Sequence, residues 1–562
     1  MSCFDIRISR ETGILSFPQI EGSIRANPAI LQSCLAAVPP LLFLLFGFVP
    51  AGIANRHVSL MRSSASAVSA LAFLLAVTTA GMLLRSGPVD VPLYSLTWPI
   101  KMSLGVYLDS LSSIMLLLIT FIGAIIIRYS ISYLDRDATQ GRFLKWIAFT
   151  LGTVLLLVVS RNLVMFTVAW MLTSFGLHQL LTHYSDRSWA VWAARKKFLI
   201  SRLGDVMLLA ALGLTYFCFG SVEYSEIFAA AKNLQQGSAG GSFWVPIIGC
   251  LYVLGAMTKS AQFPFHSWLP DTMETPTPVS ALMHAGVINA GGFLVLRLSP
   301  LISLSHLALD FLALIGAFTA LLGGVVMLTQ TSVKRQLAYS TMAQMGFMML
   351  QCGLGAFSAA LLHIVAHSLY KAHAFLSCGS VLDAAAGLRT NSGRISSGRR
   401  NLLMLPVASS MALAICAATA WGLTADYLSK PGAMILGLVL TIALTQLLWL
   451  AFSSGSIRLA GWGILAAAVV SFGYYGAYLL TDYILASSVS HQKVTPSLFD
   501  SLVTGFVGLG FLGIFVLQAA TWLGTPGPLM RSLYVHAVHG FYLDVPARRI
   551  TAWAWGHQGP AQ

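Results

Sequence analysis

Apolar runs of membrane-spanning length recur along this 562-residue chain, and that repetition constrains the fold before any single motif does. A helix crossing the hydrocarbon core needs about 20 mainly apolar residues. Such runs lie near 30–53, 63–84, 105–127, 146–160, 162–182, 198–220, 245–260 and 278–298. Further runs lie near 308–329, 337–354, 356–384, 403–428, 432–453, 459–481 and 501–523. The pattern predicts an all-α polytopic membrane protein of about 15 transmembrane helices. With 57% hydrophobic and 9% charged residues, the soluble globular classes are excluded.

A net charge of +14 would suggest nucleic acid as a partner in a soluble protein. Here the basic residues concentrate in alternate loops, which the positive-inside rule explains, and nucleic acid is set aside. Arg56/Arg62, Arg136/Arg142/Lys145, Arg187/Arg195/Lys196/Lys197, Lys334/Arg335 and Arg389/Arg394/Arg399/Arg400 read as one side, joined by Arg531, Arg548 and Arg549. The intervening loops carry Glu223, Glu226, Asp482 and Asp500. The expectation is a multi-pass protein of a bacterial inner membrane, with its N-terminus outside and its C-terminus cytoplasmic. The seven cysteines are scattered without a CxxC pair, so neither an ordinary iron–sulfur cluster nor a zinc ribbon is expected.

The segment 257–292, MTKSAQFPFHSWLPDTMETPTPVSALMHAGVINAGG, carries ionisable groups that a membrane helix should not want. Lys259 closes one apolar run and His284 sits inside the next, with Pro264, Pro270, Pro276 and Pro278 between them. Irregular backbone at membrane depth survives only inside protein or beside water, and a charge there marks an ion or proton path. A lysine snorkelling to the interface is the alternative for Lys259, and a hydrogen-bonded core histidine for His284. Farther on, His363, His367 and Lys371 follow at i, i+4 spacing in LLHIVAHSLYKAHAFLSCGS, on one helix face. Imidazole passes a proton between its two nitrogens near neutral pH, so this stripe suits a relay. His373 falls off the stripe and is a secondary candidate. Metal binding by His363 and His367 would need an Asp, Glu or Cys at ligand spacing, and none accompanies them.

Lys334 opens the run after Gln330 and is a candidate cytoplasmic end of the path, while Arg202 and Asp205 form an i, i+3 pair in SRLGD. A second interrupted segment, WGLTADYLSKPG, supplies Asp426 and Lys430 as secondary candidates. Two interrupted helices in comparable halves suggest an inverted-repeat transporter with its path near the midplane. No phosphate-binding glycine loop, nucleophile–base arrangement or carboxylate dyad is present, so the chain is not expected to be an enzyme.

KSAQFPFHSWLPDTMETPTPVSALMHA, VKRQLAYSTMAQMGFM and HIVAHSLYKAHAFLSCGS, in that order, resemble the antiporter-like membrane subunits of respiratory complex I and of Mrp cation/proton antiporters. The resemblance implies two inverted five-helix repeats, each with one broken helix. It makes Lys259 the central lysine of the first half and His284, Lys334, His363, His367 and Lys371 the polar axis. Ahead of the repeats, the polar and mixed segment 1–27 is expected to lie outside the membrane, followed by N-terminal helices 28–145. The first repeat is then 146–300, broken near 259–278, and the second 301–455, broken near 422–433. C-terminal helices 456–523 and a cytoplasmic tail 524–562 complete it.

One departure bears on function: Met171 stands where the resemblance implies a glutamate paired with the central lysine. AWMLTSFGLHQLL, ARKKFLISRLGD and LYVHAVHGFYLDVPARR resemble a narrower branch, the DabB subunits of the DabA–DabB inorganic carbon system, with His178 as a polar residue particular to it. That branch implies a subunit conducting protons or sodium ions, with no cofactor of its own. Its DabA-like partner would hold zinc, resemble a carbonic anhydrase and hydrate CO2 to bicarbonate. The alternatives are a proton-pumping subunit of a complex I-like NADH dehydrogenase, an Mrp-type Na+/H+ antiporter, or a non-conducting scaffold for a soluble enzyme.

Overall fold

The computed structural model describes residues 28–96, 101–236, 243–379, 403–423, 432–489, 498–523 and 527–556. Its principal helices are α1 (Pro28–Gly47), α2 (Val58–Ser86), α3 (Ser110–Tyr133), α4 (Gln140–Val159), α5 (Leu163–Leu181), α6 (Ser188–Phe219) and α7 (Trp244–Lys259). After a break come α8 (Thr277–Ala285), α9 (Ala290–Arg297), α10 (His306–Met327), α11 (Val333–Gly353) and α12 (Phe357–Leu376). The remainder are α13 (Met404–Leu423), α14 (Ala433–Phe452), α15 (Ile457–Leu485), α16 (Leu498–Leu523), α17 (Pro528–Val538) and α18 (Val545–Trp555). The protein is a multi-pass membrane protein.

Among the described residues, 12 helical stretches are long and apolar enough to cross a membrane, fewer than the sequence runs suggest. The other three runs are helices too. However, α7 has only 16 residues, and α11 and α12 are not among the candidate spans. These two carry the polar groups of the stripe and its partners, and each such group lowers hydropathy where a site is being built.

Local chemistry fixes several helix starts. Asp109, Asn162, Ser305 and Ser456 each accept a hydrogen bond from the backbone amide three residues on, at the heads of α3, α5, α10 and α15. The α10–α11 pair packs through small residues. A methyl group at Gly346 would overlap the backbone of Ala320, so only glycine permits this approach.

One feature departs from an all-helical reading of the chain. An antiparallel hairpin, β1 (Val89–Leu96) with β2 (Met102–Leu108), lies between α2 and α3. Arg161 ties it down, bonding Asp90 at 2.6 Å and Glu223 at 2.5 Å, while Glu223 accepts from the Ser103 amide at 2.6 Å. Close by, the buried Arg297 guanidinium donates to both oxygens of Asp109, at 2.8 and 3.0 Å, joining α9 to the head of α3.

The run at 278–298 is two helices rather than one. Gly286 leaves helical geometry (φ −124°, ψ −73°), and a single 3-10 turn over Val287–Asn289 separates α8 from α9. The expected break after Lys259 is present: short 3-10 and α turns over 265–274 carry the chain to α8, where Pro276 and Pro278 sit at the head, which tolerates proline. The second predicted break, with Asp426 and Lys430, lies outside the described residues.

Helix starts supply a further correction. Lys145 lies within α4, and α6 runs 32 residues from Ser188, so Lys196 and Lys197 are helical and buried rather than in a loop. Burial is tolerated because each amine has an oxygen acceptor: Lys196 bonds Asp271 at 2.5 Å and Lys197 the Ser174 carbonyl at 2.7 Å. Basic residues do gather at one end of the bundle. There Arg62 pairs with Asp135, the Arg142 amide bonds Asn55, and Arg187 lies 4.0 Å from Glu274.

Candidate functional site

Two buried polar clusters lie inside the bundle, and the helix break at 286–289 stands between them. The first forms where α5, α6 and α7 meet. Its close packing depends on Gly204, where a methyl group would overlap the Thr258 side chain. Lys259, 4% exposed at the C-terminus of α7, donates to Ser174 Oγ at 2.8 Å and the Trp170 carbonyl at 3.0 Å. Its ammonium also lies 4.4 Å from the Trp170 ring centroid, over the face that attracts cations. Its hydrogen-bond acceptors are therefore neutral. Arg202 and Asp205 form the predicted ion pair, at 2.7 Å. Asp205 is close enough for its charge to act on both Lys259 and Lys197. His178 lies one turn beyond Ser174 on α5, with its ring against Phe198.

The second cluster is the stripe on α12, matched residue for residue by polar groups of α11. Lys371 donates to Ser340 Oγ at 2.8 Å and the Leu337 carbonyl at 3.2 Å. His367 Nδ1 meets Gln344 Oε1 at 2.5 Å, and His363 Nδ1 meets Gln351 Oε1 at 3.1 Å. His367 Nε2 faces the His284 carbonyl at 3.2 Å, which joins α8 to the stripe. Both oxygens around His367 are acceptors, so the ring satisfies one of them when neutral and both when protonated. His284 is fully buried and stacks on Phe375 at 4.4 Å, and its two ring nitrogens have no protein partner among the described residues.

Between the clusters, polar groups bridge the helix break. Ser260 Oγ donates to the Ile288 carbonyl at 2.6 Å, and Asn289 Nδ2 donates to Ser368 Oγ, beside His367, at 2.8 Å. The freed backbone of the broken helix is thus satisfied by side chains that also extend the polar line.

The structure therefore brings Lys259, Arg202, Asp205 and His178 into one neighbourhood, and His284, His363, His367 and Lys371 into another. Lys334 joins neither by a hydrogen bond among the described residues. It lies half-buried on the first turn of α11, three residues before Leu337. His373 is exposed, away from the stripe. Sequence reasoning missed Ser340, Gln344 and Gln351, although their spacing in VKRQLAYSTMAQMGFMMLQ puts them on one face. It missed Ser174 and Lys197 as well. Among the described residues, no group of three His, Cys, Asp or Glu side chains is placed to hold a metal ion.

At the end where the basic residues gather, a cavity of about 580 Å³ is lined by His266, Asp271, Arg335, Tyr339, Asp544 and Arg548, among others. Lys196 reaches Asp271 there and lies 3.8 Å from Asp544 of the C-terminal segment.

A family profile described as NADH:quinone oxidoreductase/Mrp antiporter, TM, matches residues 160–459, more than half of the chain. A second, described as NADH-Ubiquinone oxidoreductase (complex I), chain 5 N-terminus, matches residues 97–144. The chain is 40% identical over 464 residues to the probable inorganic carbon transporter subunit DabB2 of Halothiobacillus neapolitanus, covering 81% of each. It is 34% identical over 446 residues to the probable inorganic carbon transporter subunit DabB of Hydrogenovibrio crunogenus, covering 78% of this chain and 80% of that one. Among solved structures, a chain of the Mrp complex from Dietzia sp. aligns with 94% of this chain and 56% of its own length, with TM-score 0.53 and 23% identity, a likeness of fold.

Proposed function

The chain belongs to the DabB family of antiporter-like inorganic carbon transporter subunits, and from that premise we propose that it is the cation-conducting subunit of an energy-coupled inorganic carbon pump. The observation that carries this reading is the buried Lys259 ammonium held by Ser174 Oγ and the Trp170 carbonyl. Neutral acceptors do not lock an amine in its charged state as a bonded carboxylate would, so Lys259 is free to load and release a proton.

Protons are the ions conducted. They enter the first cluster at Lys259, cross the break by way of Ser260, Asn289 and Ser368, and reach His367. From there His363 and Lys371 offer exits along α11, and Lys334 lies beyond Lys371 toward the start of that helix. His284, whose ring nitrogens meet no protein group, exchanges with the line through water. The N-terminus lies outside and the C-terminus in the cytoplasm of a bacterial inner membrane, in a fold of about 15 spans with two inverted repeats. The partner is a DabA-like zinc protein that hydrates CO2, while this chain performs no catalysis and holds no cofactor. Proton entry biases the partner so that hydration runs one way.

The test is reconstitution of the purified complex into liposomes, with proton uptake followed under an imposed potential. Lys259→Ala should reduce uptake to the leak of empty vesicles while the partner still co-purifies. Full uptake by that variant would remove the central claim, and no uptake by the native complex would favour the scaffold. A dehydrogenase or a set of small antiporter subunits co-purifying in place of a zinc protein would favour the complex I or Mrp reading.

A further inference from the structure

Lys197 is the buried charge that this reading leaves without a task. It is 2% exposed on α6, and it donates to the backbone carbonyl of Ser174 at 2.7 Å. The side-chain hydroxyl of the same serine accepts from Lys259 at 2.8 Å. Two lysines from different helices thus hang on one residue of a third. Lys196, the preceding residue, points about 100° away around the helix and is occupied by Asp271. Arg202 stands as counter-ion to Asp205 at 2.7 Å, although neither Asp205 oxygen has a hydrogen-bond partner among the described residues. The charged or titratable groups facing the two amines are these two from α6 and, from α5, His178. Among the described residues, no carboxylate bonds either amine.

Two ammonium groups bonded to one residue, away from screening water, repel each other strongly, and the single nearby carboxylate, Asp205, already has Arg202 as its counter-ion. The arrangement therefore suits one proton shared between two amines, rather than two fixed cations. We infer that Lys197 is a second proton carrier, alternating its charge with Lys259 across Ser174. The inference rests on the proposed conduction through Lys259. In the step, an N–H bond of protonated Lys259 breaks, directly or through water, and the lone pair of neutral Lys197 gains that proton. Lys259 is left neutral and ready to reload. One proton moves, no electron is transferred, and Ser174 keeps its own hydrogen bonds to both amines.

The experiment compares Lys197→Met, Lys197→Arg and Lys197→His with Lys259→Ala in the liposome assay above, on the whole complex, with uptake normalised to assembled protein. Met cannot carry a proton and Arg cannot release one. Both should lower uptake at least tenfold, toward the Lys259→Ala level. His binds and releases protons and should keep a third or more of native uptake. A merely structural lysine would give the opposite order, with Arg the best replacement. Full uptake by Lys197→Met, or Arg outperforming His, overturns the inference while leaving conduction through Lys259 standing. If Lys197→Met does not assemble, the contrast between Arg and His decides. Native complex that shows no Lys259-dependent uptake overturns both readings.

Discussion

The buried pair Arg297–Asp109 allows the sharpest energetic prediction. Asp109 does two things at once: it accepts from the Ser112 amide at 2.9 Å as the cap of α3, and it receives both arms of Arg297. Asn caps a helix as well as Asp does, so Asp109→Asn isolates the charge. It leaves a guanidinium that is 1% exposed without its counter-ion, a change worth about 3–5 kcal/mol. Asp109→Ala removes the cap too, adding about 1 kcal/mol. Arg297→Met alone strands the carboxylate at similar magnitude. The double variant Asp109→Asn/Arg297→Met strands neither and should lie within about 2 kcal/mol of the native protein. Reversible unfolding in mixed micelles, read by tryptophan fluorescence across the four proteins, closes the cycle. The reasoning fails if Asp109→Asn shifts stability by less than about 1 kcal/mol, or if the double variant loses as much as the two single variants summed.

Two further outcomes follow from the packing and from the second cluster. Gly346→Leu forces α10 and α11 apart where a single methyl already overlaps the Ala320 backbone; the protein should fail to elute as a single species by size exclusion, whereas Gly437→Ala, on the more open α14, should elute normally. Gln344→Leu leaves the buried His367 Nδ1 without its acceptor, a loss of about 1–3 kcal/mol. Proton uptake should fall roughly tenfold with assembly intact, and unchanged uptake would mean that Gln344 does not orient the relay.

Much of this was legible in the chain. Spanning length, the break after Lys259 and the i, i+4 stripe on α12 are properties of local sequence, and each has its counterpart in the structure. Local reasoning failed where partners come from another helix. Gln344 and Gln351 are unremarked polar residues until α12 presents His367 and His363 to them. Lys197 reads as one more positive charge near a loop because hydropathy cannot distinguish a lysine reaching for water from one reaching for a buried carbonyl. The hairpin escaped for a similar reason: its ties, Arg161 and Glu223, lie far along the chain. Met171 in the sequence posed the question of what replaces a carboxylate beside Lys259. Ser174, three residues on and about one helical turn away, answers it with a hydroxyl.

The two carboxylates around Lys196 belong to very different moments in the making of the protein. Asp271 lies 75 residues downstream, so it is synthesised soon after the helix that needs it. Asp544, by contrast, belongs to the C-terminal segment, and it follows nearly the whole bundle off the ribosome. The polar cavity at that end therefore closes last. Until then α6 has its counter-ion from the broken helix alone, and the newborn protein holds its lysine-bearing helix in place before the mouth beside it has its final shape.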